Sequence, residues 1–266
     1  MSVPFGLWPL DFRQVEWFFL AAARLAGLLA LAPPFNHQRV PLLARVGLGF
    51  ALAGLAWSAI AAAPPPPAAG AIALGLRAVG ELTVGLLMGF IGQLFAAAAT
   101  FAGELVGTQM GFGLARVIDP SQGSQVTIVT HLFDLLVLLL FLTLNGHLIV
   151  ITAVVESFRL IPLATWSLNP TILESLFPLV GRIFRLGLAL AAPTVGAVFL
   201  SNLVLVFIAR SIPQINILLV GFPLMITVGL LVLLLNFDLT GALLAGEVNQ
   251  LEGHFVDLLR SLAHGG

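Results

Sequence analysis

Polar residues are so sparse along this chain that its pattern is a series of long apolar runs and the short interruptions between them. Crossing the ~30 Å hydrocarbon core of a bilayer takes about 20 helical residues. Runs of that order lie at 15–34, 42–63, 72–99, 132–155, 183–208 and 215–236. The pattern predicts an all-α, polytopic membrane protein of about six long hydrophobic helices, assembled as kinked helical hairpins. Proline supplies the punctuation, because its missing N–H and fixed φ block continuation of a helix. Pro33, Pro34 and Pro41 flank the first turn, Pro64 to Pro67 close the second helix, and Pro213 separates the fifth from the sixth. The first run, Trp17 to Ala32, follows Asp11, Arg13 and Glu16 and itself contains Arg24. A cleaved signal has a cationic start and a shorter, cleaner apolar stretch, so this run reads as a retained first membrane helix.

The third run carries a second pattern. Gly85, Gly89, Gly92, Ala96, Ala99, Gly103, Gly107 and Gly111 recur at spacings of three or four, which places small residues along one helical stripe. In lipid such a stripe is a packing surface, because apolar contact alone gives helices no reason to associate. The neighbour it receives lies either in the same bundle or in another subunit. A helix from Ile72 to Gly111 measures about 60 Å at 1.5 Å per residue, twice the hydrocarbon core, so it must bend or leave the bilayer. Residues 107–123 then read as an irregular loop rich in glycine, with Met110, Gly111, Phe112, Gly113, Ile118, Asp119 and Pro120 as its characteristic members. Exposed connections are seldom so apolar, and methionine and glycine make such a loop pliable; a pliable apolar plug is the expectation. Past Asp238, Leu239, Leu243, Leu251, Phe255, Leu258 and Leu262 oppose Glu247, Glu252 and Asp257. This amphipathic segment reads as an interfacial or partner-binding helix, and its acidic face favours a protein partner over anionic lipid.

Composition sharpens the class. Hydrophobic residues make up 59% of the chain and charged residues 9%, outside the range of soluble domains. All 11 cations are arginine, against 12 acids, which gives no footprint for nucleic acid. Arginines at the two sets of helix ends (Arg13, Arg159, Arg182, Arg185 and Arg260 against Arg39, Arg45, Arg116 and Arg210) are too evenly split to orient the chain by the positive-inside rule. Arg24, Arg45, Arg77, Glu81 and Asp134 fall within or at the edges of apolar helices, where a central charge costs about 2.5–3.5 kcal/mol. Such groups are expected to face protein or water. Arg77 and Glu81, four apart, either neutralise each other locally or line a conduit.

For bond chemistry the sequence offers little. Cysteine is absent, and no HExxH, GxSxG, P-loop or dinucleotide pattern appears. His131 and Asp134 share a helix face, but His147 lies about four turns further along. No catalytic, cofactor-binding or metal-ligating residue is expected, and the chain does not read as an enzyme.

Several segments, in order, resemble the FliR family of bacterial flagellar export-gate subunits. Pro33, Phe35, Val40, Pro41 and Arg45-Val46-Gly47 are similar to the family's first inter-helix connection. Gly107 to Gln109, Gly111 to Gly113, Asp119-Pro120 and Gln125 are similar to its glycine-rich loop. Asn145-Gly146-His147, Ser157-Phe158 and Ile161-Pro162 follow, and then Pro193, Asn202, Arg210, Pro213-Gln214, Asn216, Gly221-Phe222-Pro223 and Gly229, which resemble its closing signature. Leu148 stands where the family often has a second histidine, and Val206 where it often has a glycine. The resemblance implies a single domain with a FliP-like part at 1–178, a FliQ-like hairpin at 179–238 and an amphipathic tail at 239–266. It also implies a place beside FliP and FliQ in a mixed helical complex, much of it above the ordinary bilayer plane, in the inner membrane at the flagellar basal body. FlhB and FlhA are the implied neighbours and unfolded exported proteins the cargo, with the loop at 107–123 helping to close the conduit. Two other readings stay open: the homologous subunit of a virulence type III secretion system, and a stand-alone channel or transporter with helix breaks at Pro193 and Pro223.

Overall fold

A computed structural model describes residues 12–33, 35, 40–62, 70–113, 127–165, 171–212 and 217–263. Among these the chain is all-α: α1 Phe12–Leu31, α2 Leu42–Ala62, α3 Ala71–Gln109, α4 Ile128–Thr143, α5 Gly146–Leu160, α6 Thr171–Ser211, α7 Ile217–Leu235 and α8 Phe237–Ala263. Within the described residues each apolar run lies mainly on helix. Three helical stretches, Gln14–Leu31, Ala71–Gln109 and Leu176–Ser211, are long and apolar enough to cross a membrane, and the bent pairs α4–α5 and α7–α8 raise the number to as many as five. The described part of α2 contributes a shorter apolar stretch, Leu42–Trp57.

Three local expectations change. The run at 132–155 is two helices, broken where Asn145 adopts φ 57, a left-handed conformation that asparagine tolerates better than other residues with a Cβ. The helix breaks that the stand-alone transporter reading would place at Pro193 and Pro223 are absent: α6 runs through Pro178 and Pro193, and α7 through Pro223. Each proline leaves the carbonyl four residues before it without an intrahelical N–H, an interruption that membrane helices tolerate through their neighbours. Finally, the apolar face of α8 is covered by the chain itself. Its buried stripe is Leu244, Val248, Leu251, Phe255, Leu258, Leu259 and Leu262, and Glu247 on its polar side pairs with Arg182 at 3.0 Å.

The chain forms two compact units, residues 1–92, 148–176 and 252–266 in the first, 93–147 and 177–251 in the second. In the first, α1 crosses the early part of α3 through glycine. A Cβ at Gly27 would fall onto the Leu82 carbonyl oxygen, one at Gly85 onto that of Arg24, and one at Gly89 would lie 2.6 Å from that of Leu28. Backbones meet at this crossing because nothing stands between them. On its other side α1 meets α2 through Trp17 against Trp57 (centroids 6.3 Å) and Phe18 stacked on Phe50 (5.5 Å).

In the second unit the same glycine stripe turns to other neighbours. A Cβ at Gly103 would lie 2.5 Å from Thr130 Cα, and one at Gly107 would meet the Thr127 side chain. The two helices are laced by hydroxyls: Thr100 Oγ1 donates to Asp134 Oδ1 at 2.7 Å, and Thr130 Oγ1 to Glu104 Oε1 at 3.3 Å. Thr127 caps α4 by accepting from the Thr130 N–H at 3.2 Å. Late α3 also receives α6 at Gly187, where a Cβ would stand 2.8 Å from the Ala98 carbonyl, and Phe101 meets Phe184 edge-on at 5.5 Å.

Candidate functional site

The segment expected to be a loop begins later than its glycines suggest. Gly107, Thr108 and Gln109 continue α3, and the helix stops only where Gly111 takes φ 94. There the Phe112 N–H donates to the Gly107 carbonyl at 3.0 Å and the Gly111 N–H to the Thr108 carbonyl at 3.1 Å. This paired 6→1 and 5→2 pattern around a left-handed glycine is the Schellman arrangement, which satisfies the last carbonyls of a helix.

That helix end is seated on α7. Met110 is fully buried, and Gly229 is the notch that holds it: a Cβ there would stand 2.7 Å from Met110 Cγ and 2.8 Å from its Sδ. The Phe222 ring lies on Gly111, at a distance where an added Cβ would be 2.6 Å from its edge. Phe222 and Gly229 are seven apart, two turns of α7, and therefore share a face. Two motifs separated by more than a hundred residues in sequence thus meet at one contact. It contains no charge and no hydrogen bond between side chains, so it can hold a segment in place but cannot by itself perform bond chemistry.

The other residues singled out above are distributed as follows. Gly85, Gly89 and Gly92 face α1 and Pro33, while Gly103 and Gly107 face α4. Phe112 and Gly113 are half-buried beyond Gly111. Asn145 makes the α4–α5 break, and Gly146 has no room for a Cβ because the Phe141 ring lies 2.5 Å from where it would be. His147 follows, with a buried Nδ1 that has no hydrogen-bond partner. Arg210 is exposed in the last turn of α6, where a cation complements the helix dipole. Gly221 is buried and Pro223 exposed. Ile118, Asp119, Pro120, Pro213, Gln214 and Asn216 lie outside the described residues.

The intramembrane charges do not pair as the local reading has it. Arg24 and Glu81, 2% and 1% exposed, form a 2.7 Å ion pair across α1 and α3. Arg24 also donates to the carbonyls of Ser157 (2.9 Å) and Ile161 (3.0 Å) and lies over the Phe158 ring. Glu81 Oε1 accepts the N–H of Ala164 at 2.8 Å, fixing a residue with φ 64. Arg77 reaches Glu16 at 3.5 Å instead of Glu81. Sequence spacing missed both pairs because their partners come from other helices. The Ser157-Phe158 and Ile161-Pro162 segments, quoted above for the resemblance, were the available signal. His131 is exposed, and Asp134 is engaged by Thr100. Among the described residues no group of three His, Asp or Glu could hold a metal ion.

Comparison with known proteins places these features in a family. The family described as bacterial export proteins, family 1, matches residues 15–251. The flagellar biosynthetic protein FliR of Escherichia coli (strain K12) is 35% identical over 216 residues, 80% of this chain and 81% of the relative. FliR of Bacillus subtilis (strain 168) is 31% identical over 230 residues, 82% and 84% of the two chains, and that of Caulobacter vibrioides 29% over 231 residues, 85% and 90%. The match takes in both sides of the Met110–Gly229 contact and the buried Arg24–Glu81 pair, and the chain belongs to family 1 of the bacterial export proteins.

Proposed function

We propose that this chain is a subunit of the gate through which unfolded flagellar proteins leave the cell, and that the segment following α3 helps close its conduit. The chain is a membrane-embedded component of the flagellar type III export apparatus, in the bacterial inner membrane. The gate role goes further, and the observation that carries it is the seat of Met110 and Gly111 on α7. The apolar, glycine-rich segment expected to close the conduit follows directly from that seat.

The mixed complex with FliP and FliQ is supported by surface that lipid alone cannot cover. Exposed apolar side chains on α6 run from Phe177 through Phe184, Leu188, Phe199 and Phe207 to Ile208. That is about 46 Å of helix at 1.5 Å per residue, against a hydrocarbon core of ~30 Å. Tilting it into the core would need about 50°, outside the usual range of 0–40°. Apolar helices of other subunits would cover the remainder. Within this reading residues 1–178 are the FliP-like part, 179–238 the FliQ-like hairpin and 239–266 the tail, with FlhB and FlhA as cytoplasmic neighbours. The subunit contributes shape and closure, and no bond chemistry.

Co-expression of a tagged chain with FliP and FliQ, followed by native mass measurement, tests assembly: one large mixed complex is expected, and recovery of the chain alone from well-expressed partners would refute it. Deletion of residues 114–123 tests closure. Increased ion leakage through the assembled complex is expected; unchanged leakage and export would remove the plug assignment.

A further inference from the structure

Between α1 and the start of α2 lies an apolar groove of about 300 Å³, lined by Ala22, Ala26 and Ala30 from the first helix and by Arg45, Gly49 and Phe50 from the second. We infer that this groove binds an anionic phospholipid: one acyl chain lies along it, and the Arg45 guanidinium meets the phosphate at its mouth. The site stands apart from the gate reading and does not depend on it.

The small residues of this helix pair do not bring backbones together. Where α1 meets α3, a Cβ at Gly27 or Gly85 would fall onto backbone, so glycine there is a requirement of close approach. At Gly49 an added Cβ would meet only Leu29 Cδ1, at 3.6 Å, an ordinary contact. Room is left at that position, and no side chain among the described residues takes it up. Ala26, Ala30 and Phe50 are exposed along the groove, and Leu29, which also lines it, is buried. At the inner end the Phe18–Phe50 and Trp17–Trp57 ring pairs join the two helices.

Depth and charge select the occupant. The apolar stretch of α1 runs from Gln14 to Leu31, so Ala30 marks one edge of the bilayer core and Ala22 its middle. That distance is about 12 Å at 1.5 Å per residue, close to one leaflet of a ~30 Å core. A single turn of helix, about 10 Å across and 5.4 Å tall, fills roughly 420 Å³, more than the whole groove holds. An acyl chain from one leaflet fits where a helix does not. Arg45 lies in the first turn of α2, at the same end of the hairpin as Ala30. Arginine near a helix end extends to the headgroups, and its planar fork matches phosphate oxygens. Among the described residues that line the groove Arg45 alone is charged, so no carboxylate there opposes an anion.

The test uses the full chain, purified in mild detergent and mixed with phosphatidylglycerol or phosphatidylcholine, with retained lipid counted by native mass measurement. One phosphatidylglycerol per chain is expected, held about fivefold more tightly than phosphatidylcholine, the factor that one arginine contributes at an anionic surface. Arg45→Gln should bring the two lipids to parity, and Arg45→Lys should keep most of the preference. Ala26→Leu and Gly49→Leu fill the groove from its two walls, and each should abolish retention of both lipids. Equal retention of the two lipids by the parent would overturn the inference, as would unchanged retention in both leucine variants. Should the Arg45 variants fail to accumulate, the leucine variants decide, because Ala26 is exposed and no backbone crowds Gly49.

A single cysteine at Ala26, in a chain that otherwise has none, separates lipid from a neighbouring subunit. Phosphatidylglycerol is expected to protect it from maleimide when the chain is alone. Protection by co-expressed FliP and FliQ, with none from the lipid, would overturn the lipid site and make the groove part of a subunit interface.

Discussion

Arg24 carries the largest fully buried polar side chain of the described chain, and its surroundings explain how a membrane helix holds it. Its guanidinium meets a carboxylate, two carbonyls, a hydroxyl and an aromatic face, so its donors are satisfied without water. Removing one partner strands the other. Glu81→Ala is expected to destabilise the first unit by about 3–5 kcal/mol, seen as a lowered thermal midpoint in detergent. Arg24→Met combined with Glu81→Leu should recover most of that, because two apolar groups leave no charge uncompensated. A single variant as stable as the parent would show that the pair does not hold the unit together. Ala164 offers the opposite sign: its φ of 64 costs about 1–2 kcal/mol that glycine does not incur. Ala164→Gly should therefore raise the midpoint, and a lower one would mean that the Glu81 contact does not dictate the turn.

At the scale of elements, the glycines of α3 divide between two sets of neighbours, α1 for Gly85 and Gly89 and the start of α4 for Gly103 and Gly107. The stripe was legible from spacing, since the period of a helix says which positions share a face. Its neighbours were not, because close approach leaves no mark on which backbone approaches. The α4–α5 break is similar. Asn-Gly is a visible turn signal, but the apolar run on either side argued for one helix, and only the left-handed Asn145 and the Phe141 ring over Gly146 settle the break. Gly146→Ala should cost about 1–3 kcal/mol by overpacking against that ring, and Phe141→Ala in the same chain should relieve it. A Gly146→Ala chain that unfolds at the parent midpoint would contradict this account.

The whole molecule leaves much of α6 uncovered. In a cysteine-free chain, single cysteines at Phe177, Phe184, Leu188, Phe199 and Phe207 can report what covers it. All should react with an apolar maleimide when the chain is expressed alone, and those at one end of the helix should become protected when FliP and FliQ are present. Labelling that does not change with the partners would mean that lipid or detergent covers the full length, against the argument from helix length.

The sequence by itself determined the all-α membrane class, the positions of the apolar helices, the small-residue face of α3 and the absence of a recognisable catalytic motif, because each follows from local composition and helical period. It also carried the resemblance that the family match supports. Tertiary structure alone decided that Arg24 pairs with Glu81, that helices pass through Pro193 and Pro223, that the apolar stripe of α8 is turned inward, and that Met110 and Gly111 rest on Phe222 and Gly229. The reason is common to all of them. Each depends on which distant segment fills the space beside a residue, and a one-dimensional pattern records what a residue requires without recording what supplies it.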